Sequence, residues 1–297
     1  MKNKFVHNAL VFFAIFTMTI TGAMANTLDK AKTTGKFTLA YRESSIPFSY
    51  LGEDGKPLGF GWEMCKLIAE EVKKETGRKD LVVESQAVTS QNRIPLIQNG
   101  TVDVECGSTT NNSERGKQVT FAINYFYTGT RFLVKADSGI KSINDLKGKK
   151  VVSTTGTTNY QILRNLNDEK KYGFELLGAK DHADALLMVE SGMAHAFGMD
   201  DILLYGLKAS SKESAKLAVV GESIQVEPYA IMFRKDDPKF QALVNKVITN
   251  SMKSGEFEKA YKKWFQTNIP PKNVNLNAPM SKELKDNLKA LSDKPAL

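Results

Sequence analysis

At 297 residues with a formal net charge of +8, the chain is long for one small domain and suits two compact lobes. Hydrophobic residues make up 41% and charged residues 25%, which excludes collagenous, disordered and polytopic membrane classes and leaves enough apolar surface for a packed core. Lysines are interleaved with acids, as in GEFEKAYKKW, where Glu256 and Glu258 precede Lys259, Lys262 and Lys263; the positive balance therefore reads as solvated helix faces and not as a nucleic-acid surface.

At the N-terminus, Lys2 and Lys4 precede an apolar run over 9–20 and the small-residue triplet Ala23-Met24-Ala25. This is the charged, apolar and cleavage-site order of a secretory signal peptide, with the cut expected after Ala25. The apolar run is short for a bilayer span, and no later stretch is longer, so a soluble, exported protein is expected. Export permits a disulfide between the two cysteines, Cys65 and Cys106, but spacing alone leaves that pairing open. Neither cysteine has the CxxC or Cys/His company of a redox or zinc site.

Beyond the leader, β-rich runs alternate with helical patterns. Residues 37–41 read as a strand, 62–74 as a helix with Met64, Ile68, Ala69 and Val72 on one face, 81–87 as a strand, 94–99 as a helix stopped by Gly100, and 102–106 as a strand. Residues 130–134 are apolar and β-prone, which suits a strand crossing between lobes. A second series follows: a short helix over 143–146, a strand over 150–153, helices over 158–166 and 181–191, and a strand over 194–199. A return crossing is expected over 229–233, then closing helices over 238–254 and 256–265, with the stretch after Pro270 wrapping the surface. Such alternation implies βα units and a largely parallel sheet.

In open α/β sheets ligands bind beyond the carboxyl ends of strands. Three such turns are polar here: Arg42-Glu43-Ser44-Ser45, GSTTNN from Gly107, and TTGTT from Thr154. Each offers hydroxyls and backbone N–H groups suited to a carboxylate or phosphate. Arg42, Arg93 and Arg115 fall close to these strand ends, and a guanidinium presents a planar fork that matches a carboxylate. In the pair Asp200-Asp201 an acid could hold an ammonium group or cap the next helix. No GxSxG elbow, phosphate-binding P-loop or HExxH is present, and His182 and His195 are too few for a histidine-rich metal site, so no cofactor or metal is expected.

The stretches RESSIPFSY from Arg42, TSQNRIPLIQNGTVDVECGSTTNNSER from Thr89, DLKGKKVVSTTGTT from Asp145, AKDHADA around His182, MDD ending at Asp201, FRKDDP from Phe233 and IPPKN from Ile269 together carry a resemblance. The chain resembles the polar amino-acid-binding proteins of ABC importers, and within them those that bind acidic amino acids. The resemblance implies an α/β, two-lobed periplasmic binding protein fold, its lobes joined by two crossing strands and closing by hinge motion. It divides the chain into a signal peptide (1–25), lobe 1 (26–129 with 229–297) and lobe 2 (130–228). It further implies that Arg115, helped by Ser108, Thr110 and Thr158, clamps the ligand's α-carboxylate, and that Asp200 holds the α-ammonium. The side-chain carboxylate would meet Arg42, Ser90, Arg93 and His182. Gly198 and residues 222–230 depart from the family's pattern.

The expected partners are L-glutamate or L-aspartate and the membrane permease of an ABC importer, with no nucleic acid and a monomeric state. The charges of Arg42, Arg93, Arg115 and Asp200 give +2 against a net −1 ligand, so the signs complement. The alternative is a periplasmic dehydratase-like enzyme of the same fold, which would need an acid or base in the cleft, with Glu43 and Glu105 as its candidates.

Overall fold

A computed structural model describes residues 26–296; the leader expected over 1–25 lies outside the described residues. The first lobe opens with α1 (Thr27–Thr34), β1 (Lys36–Tyr41) and a small antiparallel sheet of β2 (Ser44–Ser45), β3 (Ser49–Leu51) and β4 (Pro57–Leu58). It continues through α2 (Phe60–Thr76), β5 (Val82–Ala87), α3 (Arg93–Gln98), β6 (Val104–Glu105) and α4 (Ser113–Gly116) into β7 (Val119–Lys135). The expected face of α2 is the buried one: Met64, Ile68, Ala69 and Val72 lie at i, i+4, i+5 and i+8, on one side of the helix, and point inward.

The second lobe comprises a 3-10 turn at Ile143–Leu146, β8 (Lys150–Thr154), α5 (Thr158–Lys170), β9 (Glu175–Ala179), α6 (His182–Glu190), β10 (Ala196–Asp200), α7 (Asp201–Ser210) and β11 (Leu217–Val220). The chain returns along β12 (Val226–Arg234) and closes with α8 (Pro238–Ser254), α9 (Glu256–Phe265), β13 (Asn268–Ile269), β14 (Val274–Asn275) and α10 (Lys282–Ala290).

The strand order is β5-β1-β6-β12-β7-β10-β8-β9, with β11 also paired to β7. The expected parallel pairing holds toward both edges, β5-β1-β6 and β10-β8-β9, but the centre is antiparallel. The cause is the 17-residue β7, longer than the crossing read from the sequence, which serves both lobes. From Val119 to Gly129 it pairs with β12, and from Thr130 to Lys135 with β10 and β11. The partner changes between two adjacent residues, so one covalent strand carries the connection between the two half-sheets.

An aromatic cluster fastens the lobe-1 side of this crossing. Phe48 packs edge-on against Phe126 of β7 (4.9 Å) and Tyr229 of β12 (5.2 Å), while Phe126 stacks on Phe265 of α9 (5.1 Å). Such pairs contribute about 0.5–1.5 kcal/mol each beyond area burial. The strand that moves in any hinge rotation is therefore anchored at one end.

The pairing of Cys65 with Cys106 is resolved as a disulfide joining α2 to the strand end that precedes the GSTTNN turn. The bond closes a separation of 41 residues, for which chain entropy gives about 2–4 kcal/mol. We expect a C65A/C106A double variant to lose about that much in a denaturant titration; an unchanged midpoint would show that the closed loop contributes nothing.

One further expectation needs correction. The stretch after Pro270 does not merely wrap the surface: Leu284 and Asn287 of α10 are buried, and Asn287 Nδ2 donates to the Asn124 carbonyl (2.7 Å). Asn111 Nδ2 and Asn124 Nδ2 in turn donate to the carbonyls of Asp293 and Lys294. The C-terminal segment is thus sewn to β7 and to the GSTTNN turn. Helix α7, with Ile202, Leu203, Leu204 and Leu207 buried, is the helix that follows the Asp200-Asp201 pair.

Candidate functional site

Four strand ends and two helix starts converge between the lobes. Lobe 1 contributes Arg42 after β1, Ser90 and Arg93 around the start of α3, and the GSTTNN turn after β6. Lobe 2 contributes the TTGTT turn after β8, His182 at the start of α6, and Asp200 at the end of β10. The turns are held locally: Thr157 caps α5 by accepting from the Tyr160 N–H, and Asp181 caps α6 by accepting from the Ala183 N–H. Gly156 adopts φ +78°, and a Cβ there would lie 2.6 Å from the backbone of Gln91, so the lobes approach too closely at this point for any side chain.

A narrow cavity of about 10 Å³, room for roughly one water, is lined by Ser90, Arg93, Ser108, Thr110, Thr158, His182 and Asp200, together with Thr157, Asn159, Met199 and Leu203. Of the nine residues named from the sequence, seven therefore share one cavity. Arg42 and Arg115 stand just behind its wall.

The arginines differ in how they are satisfied. Arg115 is a cross-lobe brace, its Nη1 donating to the Thr110 carbonyl (3.0 Å) and its Nη2 to the Gly156 carbonyl (3.2 Å). Arg42 donates through Nη2 to Ser90 Oγ (2.7 Å), while its Nε and Nη1 are buried without a partner. Arg93 is 1% exposed, and its Nε and Nη1 likewise have no partner. Burial pulls the Arg93 guanidinium well below its ordinary range, and the neighbouring charges of Arg115 and Arg42 act in the same direction.

His182 contributes as a neutral ring. Burial, reinforced by the Arg42 charge, pulls it down to about 3 against the opposing pull of Asp181. Its Nδ1 lies 2.8 Å from Thr154 Oγ1 and its Nε2 3.4 Å from Arg42 Nη2. Arg42 can only donate, so Nε2 accepts and the ring proton sits on Nδ1, facing Thr154. The imidazole thereby steadies the guanidinium beside it.

Asp200 is 2% exposed, and burial, reinforced by the Glu227 charge, pushes it up to about 7. Its Oδ1 accepts from Asn159 Nδ2 (2.8 Å), and its Oδ2 accepts from the Tyr229 hydroxyl. It also precedes α7 without capping it through its side chain, so the capping alternative does not describe it.

Two buried carboxylates belong to the site's charge balance without having been read from the sequence in that role. Glu105 is fully buried; its Oε2 accepts from Thr109 Oγ1 (2.6 Å), and its charge supports Arg42, Arg93 and Arg115. Glu227, on β12, is 1% exposed and accepts from both Thr110 and Thr158. Counting both, three arginines face three acids, so the +2 read from four residues does not describe the assembled site. Glu43, the other acid considered for catalysis, is exposed. Neither Glu43 nor Glu105 is among the residues lining the cavity.

Among the described residues, no group of three or more His, Cys, Asp or Glu side chains is placed to hold a metal ion, and no helix is long and apolar enough to cross a membrane.

Comparison with known proteins agrees with this geometry. Residues 37–267 match the family of bacterial extracellular solute-binding proteins, family 3. The chain is 48% identical over 289 residues to the L-glutamate/L-aspartate-binding protein of Pseudomonas aeruginosa, covering 97% of this chain and 96% of that one. It is 47% identical to the glutamate/aspartate import solute-binding protein of Salmonella typhimurium, covering 92% and 90%. Among solved structures, an ancestral arginine-binding protein bound to glutamine superposes with a TM-score of 0.70 at 29% identity, over 78% of this chain and 98% of that one. An ancestral amino acid-binding protein, a precursor of cyclohexadienyl dehydratase, superposes with a TM-score of 0.69 at 28% identity, over 80% and 99%.

Proposed function

Because the chain belongs to the bacterial extracellular solute-binding proteins, family 3, we propose that it captures an acidic amino acid, glutamate or aspartate, between its lobes and delivers it to the membrane permease of an ABC importer. The observation that carries this reading is the pair of buried guanidiniums, Arg42 and Arg93, each with two N–H-bearing nitrogens that have no partner, beside a cavity that Asp200 also lines. A buried cation with unmet donors needs an anion, and a carboxylate fits a guanidinium fork. The names of the relatives from Pseudomonas aeruginosa and Salmonella typhimurium point to the same ligands.

On this reading Arg42, Ser90, Arg93 and His182 form the side-chain carboxylate pole. Arg115, Ser108, Thr110 and Thr158 surround the α-carbon end, and Asp200 takes the α-ammonium. The lobes are 26–129 with 229–297, and 130–228. The protein works outside the cytoplasmic membrane after loss of residues 1–25, as a binding protein and not as an enzyme.

Thermal unfolding with a panel of amino acids tests the ligand class. At about 100 times Kd, glutamate or aspartate is expected to add roughly 2.7 kcal/mol of stability. A shift with glutamine or arginine and none with either acidic amino acid would overturn the assignment. Turnover of a carboxylated ring substrate would instead establish the dehydratase-like alternative.

A further inference from the structure

Glu227 sits at the second position of the returning strand β12, opposite Thr128 of β7, and is 1% exposed. Its Oε2 lies 2.9 Å from Thr110 Oγ1, on the lobe-1 turn, and 2.7 Å from Thr158 Oγ1, at the first residue of α5 in lobe 2. The two hydroxyls are 3.2 Å from each other, and Oε1 accepts from Gln225 Nε2 at 2.6 Å. One carboxylate oxygen therefore joins a residue from each lobe, at the strand that connects them.

From this arrangement we infer that Glu227 is a positioning residue which makes an α-amino group obligatory in the ligand. The inference deepens the proposed function and rests on the cavity taking an amino acid. A threonine hydroxyl has one proton and two lone pairs, and an ionised carboxylate only accepts. Two oxygen–oxygen contacts at these distances to one carboxylate are attractive only when each hydroxyl donates to it. Were Thr110 to donate to Thr158 instead, the 2.9 Å contact would set lone pair against lone pair. Both protons are thus committed to Oε2.

Both threonines line the cavity, so what remains for a ligand is their lone pairs. They can accept and cannot donate. This reverses the part the resemblance gave them: hydroxyls fixed this way do not supply hydrogen bonds to an α-carboxylate, which is left to Arg115 and to backbone N–H groups. They suit a donor, and the α-ammonium is the donor an amino acid carries at that end, with Asp200 lining the same cavity. A ligand lacking the ammonium would leave these buried acceptors and Asp200 unmet. A site built to pair with a substrate N–H rejects the analogue lacking it by about 10⁴-fold or more.

The experiment measures, by calorimetry, the ratio of affinities for L-glutamate and for glutarate, which keeps both carboxylates and lacks the amino group. It is run on the full mature protein, on E227Q and on E227L, each first shown to unfold in one cooperative transition. Leucine removes the acceptor and frees both hydroxyls to turn toward the ligand, so the glutamate-to-glutarate ratio is expected to fall about 10- to 100-fold. Glutamine keeps an oxygen that can take both protons, so E227Q is expected to hold the wild-type ratio. An unchanged ratio in E227L, with both ligands weakened alike, would reduce Glu227 to a structural brace and overturn the inference. Equal loss in E227Q and E227L would also overturn it, because charge and not proton direction would then be acting. Should the wild-type protein bind glutamine in place of acidic ligands, the same ratio is read with glutamine against its deamino analogue. Failure of the acidic-ligand reading and failure of this inference thus give different results.

Discussion

Arg93→Leu is expected to raise the stability of the protein in ligand-free buffer while abolishing its response to acidic amino acids. In the wild-type chain this guanidinium is fully desolvated, has two N–H-bearing nitrogens without partners, and is repelled by Arg115 and Arg42. Removing it relieves all three costs; whole buried ion pairs replaced by well-packed apolar residues are often neutral or more stable by about 1–4 kcal/mol. Glu105 keeps Arg42 as a charged neighbour, so the substitution does not strand its carboxylate. The ligand then loses the cation that answers its side-chain carboxylate. Leaving one member of a buried pair alone costs about 3–5 kcal/mol, an affinity loss of roughly 10² to 10³-fold. Melting curves with and without glutamate read both signs together. A lower melting temperature in ligand-free buffer would mean that Arg93 is a structural residue, and a retained glutamate shift would remove it from side-chain recognition.

The opposite signs arise because this residue is costly in the free protein and favourable only with an anion beside it. That is the condition for differential stabilisation of a closed, ligated state: a ligand shifts an equilibrium only by what it gains in one state over the other. Arg115 is built differently. Its donors already bridge Thr110 and Gly156 across the lobes, so it stabilises contact between them before any ligand contributes.

What was legible in the sequence follows from where the determinants lie. Helices α8 and α9 were read with their observed bounds because their signals are local: Pro238 at the first turn, a periodic apolar face, and Gly255 in a left-handed conformation between them. The polar turns at strand ends were legible for the same reason, and seven of the nine residues drawn from them and from the resemblance line one cavity. Only the far half of β7 was read as a strand, because nearly every residue of that strand is buried on both faces and the alternation that marks a half-exposed strand is missing. Helix α7 is legible only as the next helix that Asp200-Asp201 could cap, with no bounds of its own. Glu227 had no local signature at all. A glutamate before a proline reads as solvated, and its partners Thr110 and Thr158 are 117 and 69 positions away. Only the assembled fold brings them together.

Asp200→Asn separates a charge effect from a packing effect in the same cavity, and pH does the separating. The native carboxyl is raised to about 7, chiefly by burial and then by Glu227, against about 3.9 in an unfolded chain. Between those values the native protein holds a proton that the unfolded chain has released, so this group lowers stability as pH rises through the window. Asparagine keeps one acceptor oxygen, for Asn159, and turns an amide N–H toward the Tyr229 oxygen, which can accept it, but asparagine cannot ionise. The stability of D200N minus that of wild type is therefore expected to climb from about pH 4 to pH 7, by at most about 1.4 kcal/mol per unit. Taking this difference removes the slope from His182, which runs the other way: its native value of about 3 lies below the unfolded one, so its contribution is lost as pH falls below about 6.5. Ligand binding carries the complementary sign. Capture of an ammonium requires ionised Asp200, so wild-type affinity should rise with pH up to about 7 and then level, with proton release in calorimetry that varies with buffer. D200N should bind about 10²-fold or more weakly, with that pH dependence gone. A difference curve that is flat between pH 4 and 7 would show that Asp200 is ionised throughout in the ligand-free protein. A wild-type affinity that falls as pH rises would contradict its role as the partner of the ammonium.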